Sequence, residues 1–216
     1  MTREVVIIGA SGFAKEMVFL LENSIAQDEE EWDIKGFIDE NTSGEVLGYK
    51  VLGNDDWLLQ YDREINVVVG IGDSKVKQRV VKKLKENKNI KFPNIIAKSV
   101  RLGKNVAMGE GCIICDMNIL TVDVCLGDFV TLNLNNTIGH DTVIGSFTTV
   151  NPGCNISGNV NIGKSVMVGT GTKIIQGLEI GDEAIIGAGT VIIRNVEEKC
   201  TVVGNPGRMI KKCQSQ

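Results

Sequence analysis

Histidine, aromatic residues and excess positive charge are scarce in this sequence of 216 residues. It contains one histidine, and aromatic residues make up 5% of it. The formal net charge of −4 argues against a nucleic-acid-binding protein, which needs a basic surface. No apolar run approaches the ~18 residues of a membrane span, and no charged and then apolar leader precedes the first strand-like segment. We therefore expect a soluble, cytoplasmic protein with no membrane span and no nucleic-acid partner.

The six cysteines do not form a recognisable metal site. Cys112 and Cys115 make a CxxC pair, but no second pair and no histidine pair accompanies them, whereas a zinc site needs four ligands. We expect structural thiols, no bound metal and no disulfide bonds. The single histidine also disfavours a zinc hydro-lyase such as a γ-type carbonic anhydrase, whose metal is held by three histidines.

A six-residue repeat is the dominant feature of the chain. Every sixth residue from Ile96 to Ile192 is aliphatic, without a gap, and glycine often follows it. Neither a helix nor an ordinary strand has a period of six, whereas a β-solenoid does. The repeat is typical of the left-handed parallel β-helix, an all-β fold in which three hexapeptide units form one coil and residues 18 apart stack. The seventeen units predict between five and six coils.

The fifth position of the unit carries small residues, which we expect to point inward together with the aliphatic first position. Cys112 and Cys154 hold this position, in agreement with structural thiols. Asn118 and Asn136 also hold it and are one coil apart, which predicts an inward asparagine ladder with Thr172 further along the same column.

The residues before the repeat alternate between strand and helix patterns. This alternation predicts a small, Rossmann-like α/β domain over residues 1–95, followed by the β-helix over 96–196 and a C-terminal cap or tail over 197–216. Helices are predicted over about 13–23, 55–61 and 74–87, the second opened by an aspartate cap. The lysines of the third helix form either a phosphate or membrane patch or, as we favour, a solvated face.

The Gly9–Gly12 loop lies between the first strand and the first helix. Such a loop presents backbone N–H groups and a positive helix end to a phosphate. It is not the full GxGxxG fingerprint, which disfavours a dinucleotide-dependent oxidoreductase. Asp39, at the end of the second strand, could hydrogen-bond a ribose or a base. A packing turn with a solvated acid is the equally weighted alternative.

His140 is the candidate catalytic residue. It occupies the third position of its unit, where side chains point outward. Asp141 follows it and can orient or charge-stabilise the imidazole, which is a general-base arrangement. Gly158 stacks one coil later, and we expect it to leave a gap above the ring in which a substrate lies.

The repeat with Ile138-Gly-His140-Asp141 resembles the hexapeptide-repeat acyltransferases. The start GASGFAKE, the segment Gly36-Phe-Ile-Asp39-Glu40 and the ending Val203-Gly-Asn-Pro-Gly-Arg208 make nearly the whole chain similar to the NeuD/PglD type. This type comprises sialic acid O-acetyltransferases and nucleotide-linked 4-amino-sugar N-acetyltransferases. The resemblance implies an acetyl-CoA-dependent transferase acting on the amine of a nucleotide-linked amino sugar. The alternatives are O-acetylation of sialic acid or another surface-glycan sugar and, less favoured, a non-catalytic solenoid that binds a ligand.

The resemblance also implies roles for individual residues. His140 would act as general base with the assistance of Asp141, and a backbone N–H near Gly158 would stabilise the oxyanion. It further implies a homotrimer with the active site in the groove between neighbouring prisms. The implied coenzyme contacts are Thr149, Gly158, Thr170 and Ala188. The implied substrate contacts are Ser11, Gly12, Phe13, Asp39, Glu40, Gly72 and Asn133. The family often has histidine at the position of Phe13 and in some members at that of Thr149.

Overall fold

The computed structural model describes residues 2–22 and 31–212. The chain divides between Lys98 and Ser99 into two compact units. Asn23, at which the sequence predicts the first helix to end, lies outside the described residues, as do Cys213 and the rest of the C-terminal tail.

The first unit is an α/β domain, as predicted. Its strands are β1 (Thr2–Ile8), β2 (Glu31–Ile38), β3 (Glu45–Val46), β4 (Tyr49–Gly53), β5 (Ile65–Val69), β6 (Ile90–Lys91) and β7 (Ile95–Ile96), and its helices are α1 (Gly12–Glu22), α2 (Asp55–Leu59) and α3 (Ser74–Leu84). One sheet has the strand order β3-β4-β2-β1-β5-β6, and all its pairs are parallel except β3 with β4. The central strand β1 is buried on both faces, which is typical of parallel sheets.

The helix ends show how side chains satisfy free backbone N–H groups. Asn54, and not the aspartate expected from the sequence, caps α2, and its side chain accepts from the Asp56 N–H. Asp73 caps α3 and accepts from the N–H groups of Lys75 and Val76, both at 2.9 Å. Both caps place acidic or amide oxygens at the positive helix end.

The second unit is a parallel β-helix. Its strands are β8 (Arg101–Leu102), β9 (Ala107–Met108), β10 (Ile113–Ile114), β11 (Ile119–Leu120), β12 (Cys125–Leu126), β13 (Thr131–Leu132), β14 (Thr137–Ile138), β15 (Val143–Ile144), β16 (Thr149–Val150), β17 (Asn155–Ile156), β18 (Asn161–Ile162), β19 (Met167–Val168), β20 (Lys173–Ile174), β21 (Glu179–Ile180), β22 (Ile185–Ile186), β23 (Val191–Ile192), β24 (Cys200–Val203) and β25 (Arg208–Lys212). Paired residues in successive coils are 18 apart, as in Thr137 with Asn155, which confirms the predicted stacking.

Within the described chain these solenoid strands form three sheets. The first face contains β8, β11, β14, β17, β20 and β23, the second β9, β12, β15, β18 and β21, and the third β10, β13, β16, β19, β22, β24 and β25. The chain passes from the first face to the second and the third in every coil. The corner between the first and second faces therefore lies on the opposite side of the prism from the third face.

The asparagine ladder joins the coils through the backbone. The Asn136 N–H donates to Asn118 Oδ1 at 3.2 Å, and the Cys154 N–H donates to Asn136 Oδ1 at 2.7 Å. Each Nδ2 donates to main-chain carbonyls, as Asn136 does to Asn133 at 2.6 Å. Both asparagines are fully buried, so the inward direction is confirmed, whereas the ladder bonds run from side chain to backbone and not between amides.

The last coil is followed by an antiparallel hairpin of β24 and β25. The sequence predicts the first of these strands, and the second comes from the basic tail. None of the helices in the described part of the chain is long and apolar enough to span a membrane.

Candidate active site

His140 lies at the corner between the first and second faces, two residues after the buried Ile138 of β14. Its carbonyl oxygen accepts from the Asn159 N–H at 2.6 Å, which ties it to the next coil. The Asp141 N–H donates to the Val122 carbonyl at 3.1 Å, which ties it to the previous coil. The coils on both sides thus hold the backbone of the His-Asp pair, and this favours one arrangement of the side chains.

The two side chains contact each other directly. His140 Nδ1 lies 2.7 Å from Asp141 Oδ2. Asp141 has a left-handed backbone with φ of 56°, which aspartate tolerates better than most residues. Because a carboxylate accepts hydrogen bonds, the proton of a neutral imidazole resides on Nδ1 and leaves the lone pair of Nε2 available. The side chains are 50% and 59% exposed, so Nε2 is accessible to a substrate.

Gly158 lies directly against the imidazole ring. A Cβ atom added there would overlap Nε2 of His140 and would lie 2.5 Å from Cε1 and 2.7 Å from Cδ2. The expectation of a substrate gap above the ring is therefore wrong, because the ring leans along the solenoid and fills this space itself. Within residues 2–22 and 31–212 no partner is found for the Gly158 N–H, which leaves a donor beside Nε2.

The predicted coenzyme and amide contacts lie elsewhere on the prism. Thr149 belongs to β16 on the third face, and Asn133, Thr170 and Ala188 follow strands of that face. A single chain therefore brings together His140, Asp141 and Gly158 at one corner and keeps these four residues on the third face or just after its strands. Thr149 is 7% exposed, and its Oγ1 has no hydrogen-bond partner in the described chain.

The first unit contains a cavity of about 640 Å³ at the carboxyl ends of β1, β2 and β5. Four of its predicted substrate contacts line it, namely Ser11, Asp39, Glu40 and Gly72. Gly12 and Phe13 lie in the first turn of α1, outside the set of lining residues found in the described chain. The Gly9 N–H donates to the Ile38 carbonyl at 2.8 Å, so this one N–H of the glycine loop is not available to a phosphate.

Helix α3 contributes cavity residues that the sequence analysis did not assign. Val76, Arg79, Val80 and Lys83 all line the cavity. Their spacing of three, four and seven residues places them on one helix face, and that spacing is the signal that could have identified them. The side-chain hydrogen bond to Asp56 raises the pKa of Lys83, and Asp55 adds to the effect.

The cysteines of the described chain are free thiols, as expected. Burial raises the pKa of the Cys154 thiol, whose Sγ donates to the carbonyls of Asn151 and Gly169. No group of three or more histidine, cysteine, aspartate or glutamate residues in the described chain is arranged to hold a metal ion.

Comparison with known families identifies both units. Residues 4–84 match the model of the PglD N-terminal domain, and residues 159–194 match that of the bacterial transferase hexapeptide (six repeats). No match is found among curated protein sequences.

Three solved structures are similar over nearly the whole chain. WeeI from Acinetobacter baumannii AYE is 30% identical, with a TM-score of 0.86 and coverage of 97% of this chain and 100% of its own. The acetyltransferase domain of PglB from Neisseria gonorrhoeae FA1090 is 26% identical, with a TM-score of 0.88 and coverage of 96% and 100%. PerB from Caulobacter crescentus, solved with CoA and GDP-perosamine, is 27% identical, with a TM-score of 0.86 and coverage of 96% and 97%.

Three findings point to one conclusion: the parallel β-helix, the PglD-type first unit and a 30% identical relative that matches over nearly the whole chain. The chain belongs to the NeuD/PglD-type family of hexapeptide-repeat acyltransferases.

Proposed function

We propose that this enzyme transfers the acetyl group of acetyl-CoA to the amine of a nucleotide-linked amino sugar. The observation that carries the proposal is the contact of His140 Nδ1 with Asp141 Oδ2, which directs Nε2 outward beside Gly158. The similar PglB domain was solved with acetyl coenzyme A, and PerB was solved with CoA and GDP-perosamine.

In the proposed mechanism His140 is the general base. Its Nε2 accepts the proton of the sugar amine as the nitrogen forms a bond to the thioester carbon. The Gly158 N–H donates to the oxyanion of the tetrahedral intermediate. When the carbon–sulfur bond breaks, His140 returns the proton to the CoA thiolate. Asp141 remains an ionised acceptor of the Nδ1 proton and balances the transient imidazolium charge.

The coenzyme contacts support a homotrimer. Thr149, Thr170 and Ala188 lie on the third face or just after its strands, away from the corner that carries His140, and in a trimer one coenzyme would touch both sets where they come from different chains. We propose that each groove combines His140 of one chain with this surface and Asn133 of its neighbour.

The trimer has a direct test in subunit complementation. His140→Ala and Ala188→Trp disable the two opposite surfaces and should each abolish transfer. Co-refolded in equal amounts, the two variants should regain roughly a quarter of the wild-type sites, since random assembly produces some intact grooves. A monomeric mass in solution, or no recovery on mixing, would contradict this arrangement.

We further propose a division of labour between the units, with residues 1–95 holding the nucleotide sugar and residues 96–196 carrying out acetyl transfer. The cavity of the first unit supports this, because the predicted contacts Ser11, Asp39, Glu40 and Gly72 line it. We place the enzyme in the cytoplasm, where acetyl-CoA is available and free thiols persist.

The activity test uses acetyl-CoA with a panel of UDP-, GDP- and dTDP-linked 4-amino sugars and free sialic acid, followed by release of the CoA thiol. Turnover of an amino sugar nucleotide is expected, and His140→Ala should reduce kcat by roughly 10²–10⁴-fold. Turnover of sialic acid alone would establish the O-acetyltransferase alternative. Full activity of His140→Ala, or no turnover of any sugar, would refute the mechanism.

A further inference from the structure

The cavity of the first unit is lined along one side by α3. Val76, Arg79, Val80 and Lys83 form a single helix face towards it, on which two half-buried valines alternate with two cations. The opposite rim carries Asp39 and Glu40 at the end of β2. A ligand in this cavity therefore meets carboxylates on one side and basic side chains on the other.

Lys83 is already engaged by carboxylates. Its Nζ lies 2.9 Å from Asp56 Oδ1 and 3.6 Å from Asp55 Oδ2. Asp73, which also lines the cavity, is occupied as the cap of α3. These contacts offset the single charge of Lys83, so Lys83 is not a free cation for a ligand.

Arg79 is different from Lys83 in this respect. Its side chain is exposed, and among residues 2–22 and 31–212 no ion pair or hydrogen bond of its guanidinium is found. It is thus the cavity-lining cation of the described chain that has no carboxylate partner.

One backbone N–H of the glycine loop is not available to an anion. The Gly9 N–H is bonded to Ile38, and Asp39 and Glu40 repel negative charge while accepting from hydroxyl or N–H donors. One Asp39 oxygen accepts from the Asn41 N–H at 2.8 Å, and no partner of the other oxygen is found in the described part of the chain. A phosphorylated ligand therefore places its phosphates away from Asp39 and Glu40 and directs its hydrogen-bond donors towards these carboxylates.

We infer that Arg79 binds the diphosphate of the nucleotide sugar, with the ribose or base donors facing Asp39. The inference rests on the proposed function, since it assigns an anchor to the same substrate. A guanidinium forms paired, charge-assisted hydrogen bonds with phosphate oxygens, and no carboxylate of the described residues needs to be displaced from Arg79 first. Arg79 does not touch the reacting amine in this assignment, so it contributes to substrate binding and not to proton transfer.

The test is calorimetric titration with GDP and UDP, each compared with guanosine or uridine. Arg79→Gln should weaken binding of the diphosphates at least tenfold and leave binding of the nucleosides unchanged. Arg79→Lys should retain part of the affinity, because it keeps the charge and loses the paired geometry. Lys82→Gln, an exposed cation of the same helix outside the cavity lining, is the matched control and should bind as wild type.

Steady-state kinetics supply the second measurement. Arg79→Gln should raise KM for the nucleotide sugar by a similar factor, with little change in kcat or in KM for acetyl-CoA. Unchanged binding of GDP and UDP by Arg79→Gln would overturn the inference. So would an equal loss of nucleoside binding, or a loss seen with Lys83→Gln and absent in Arg79→Gln.

The two proposals fail in different ways. If the wild type binds a diphosphate through Arg79 but transfers no acetyl group, the proposed function is wrong and the anchor stands. If the wild type binds neither GDP nor UDP yet acetylates free sialic acid, the anchor is wrong and acetyl transfer stands.

Discussion

His140 Nδ1 and Asp141 Oδ2 lie 2.7 Å apart although the two residues are neighbours in sequence. Neighbouring side chains on a strand point to opposite faces, but His140 and Asp141 lie at a corner, where this alternation does not apply. The left-handed φ of Asp141 turns the chain from the first face to the second there, and both side chains reach the same surface. The corner therefore brings an acid to the imidazole without a long-range contact.

Asp141→Asn should lower kcat by roughly 10–100-fold with little change in KM for either substrate. Asparagine also tolerates the left-handed backbone, so the corner is retained, but it carries no charge to balance the imidazolium. Its amide can also donate to Nδ1 and select the tautomer whose Nε2 carries the proton. Initial rates at saturating acetyl-CoA measure this, and a wild-type kcat would show that Asp141 has no part in the reaction.

Gly158→Ala should lower kcat at least tenfold and leave the melting temperature nearly unchanged. The new Cβ displaces the imidazole, which is the free end of a flexible side chain, so adjustment costs little stability. In the His140→Ala background the same substitution should have no further effect on the rate, because the imidazole that the new Cβ would displace is absent. A second, independent loss in the double variant would mean that Gly158 acts by another route.

Asn136→Ala should destabilise the β-helix by about 1–3 kcal/mol, because the Cys154 N–H then lies buried without an acceptor. Urea unfolding at one fixed protein concentration measures the change. Asn155→Ala is the matched control: its side chain is exposed and bonds only Thr137 Oγ1, so its effect should stay within about 0.5 kcal/mol. Equal effects of the two substitutions would contradict a role for the inward ladder.

Native thiol labelling at pH 8 should modify Cys125 and spare Cys154. Cys125 is exposed, whereas burial raises the pKa of the Cys154 thiol, so this thiol stays protonated and inaccessible. The folded state binds the Cys154 thiol proton more tightly than the unfolded state does. The protonated thiol therefore contributes fully to stability below the pKa of the unfolded state, and this contribution declines as the pH rises above it. Mass spectrometry of the Cys213→Ser variant locates the label, and rapid modification of Cys154 before unfolding would contradict the buried structure.

Much of the β-helix follows from the repeat because each position of the hexapeptide unit fixes whether its side chain points inward or outward. The period of six predicts the inward asparagines, the stacking of Gly158 on His140 and the outward direction of the imidazole, since every coil has the same length. The repeat does not predict that the ring leans onto Gly158, which depends on the rotamer that the neighbouring coils permit. Nor does it predict that Asn118 and Asn136 bond the backbone, because this depends on which main-chain groups each coil leaves free.

In the first unit the strand and helix pattern predicts the α/β fold, whereas the four predicted contacts that line the cavity were implied by the family resemblance; of these, the pattern by itself suggested only Asp39, at the end of a strand. The sequence did not predict that Arg79 lines the cavity, because a cation on an amphipathic helix has the same sequence pattern whether it faces solvent or a cavity. By itself the sequence thus determines the fold, the coil register and the identity of the one histidine, since local periodicity dictates side-chain direction. Only the tertiary structure decides that Lys83 is paired while Arg79 has no partner among the described residues, that the Gly9 N–H bonds the Ile38 carbonyl, and that His140 lies opposite Thr149. These features depend on the packing of residues distant in sequence.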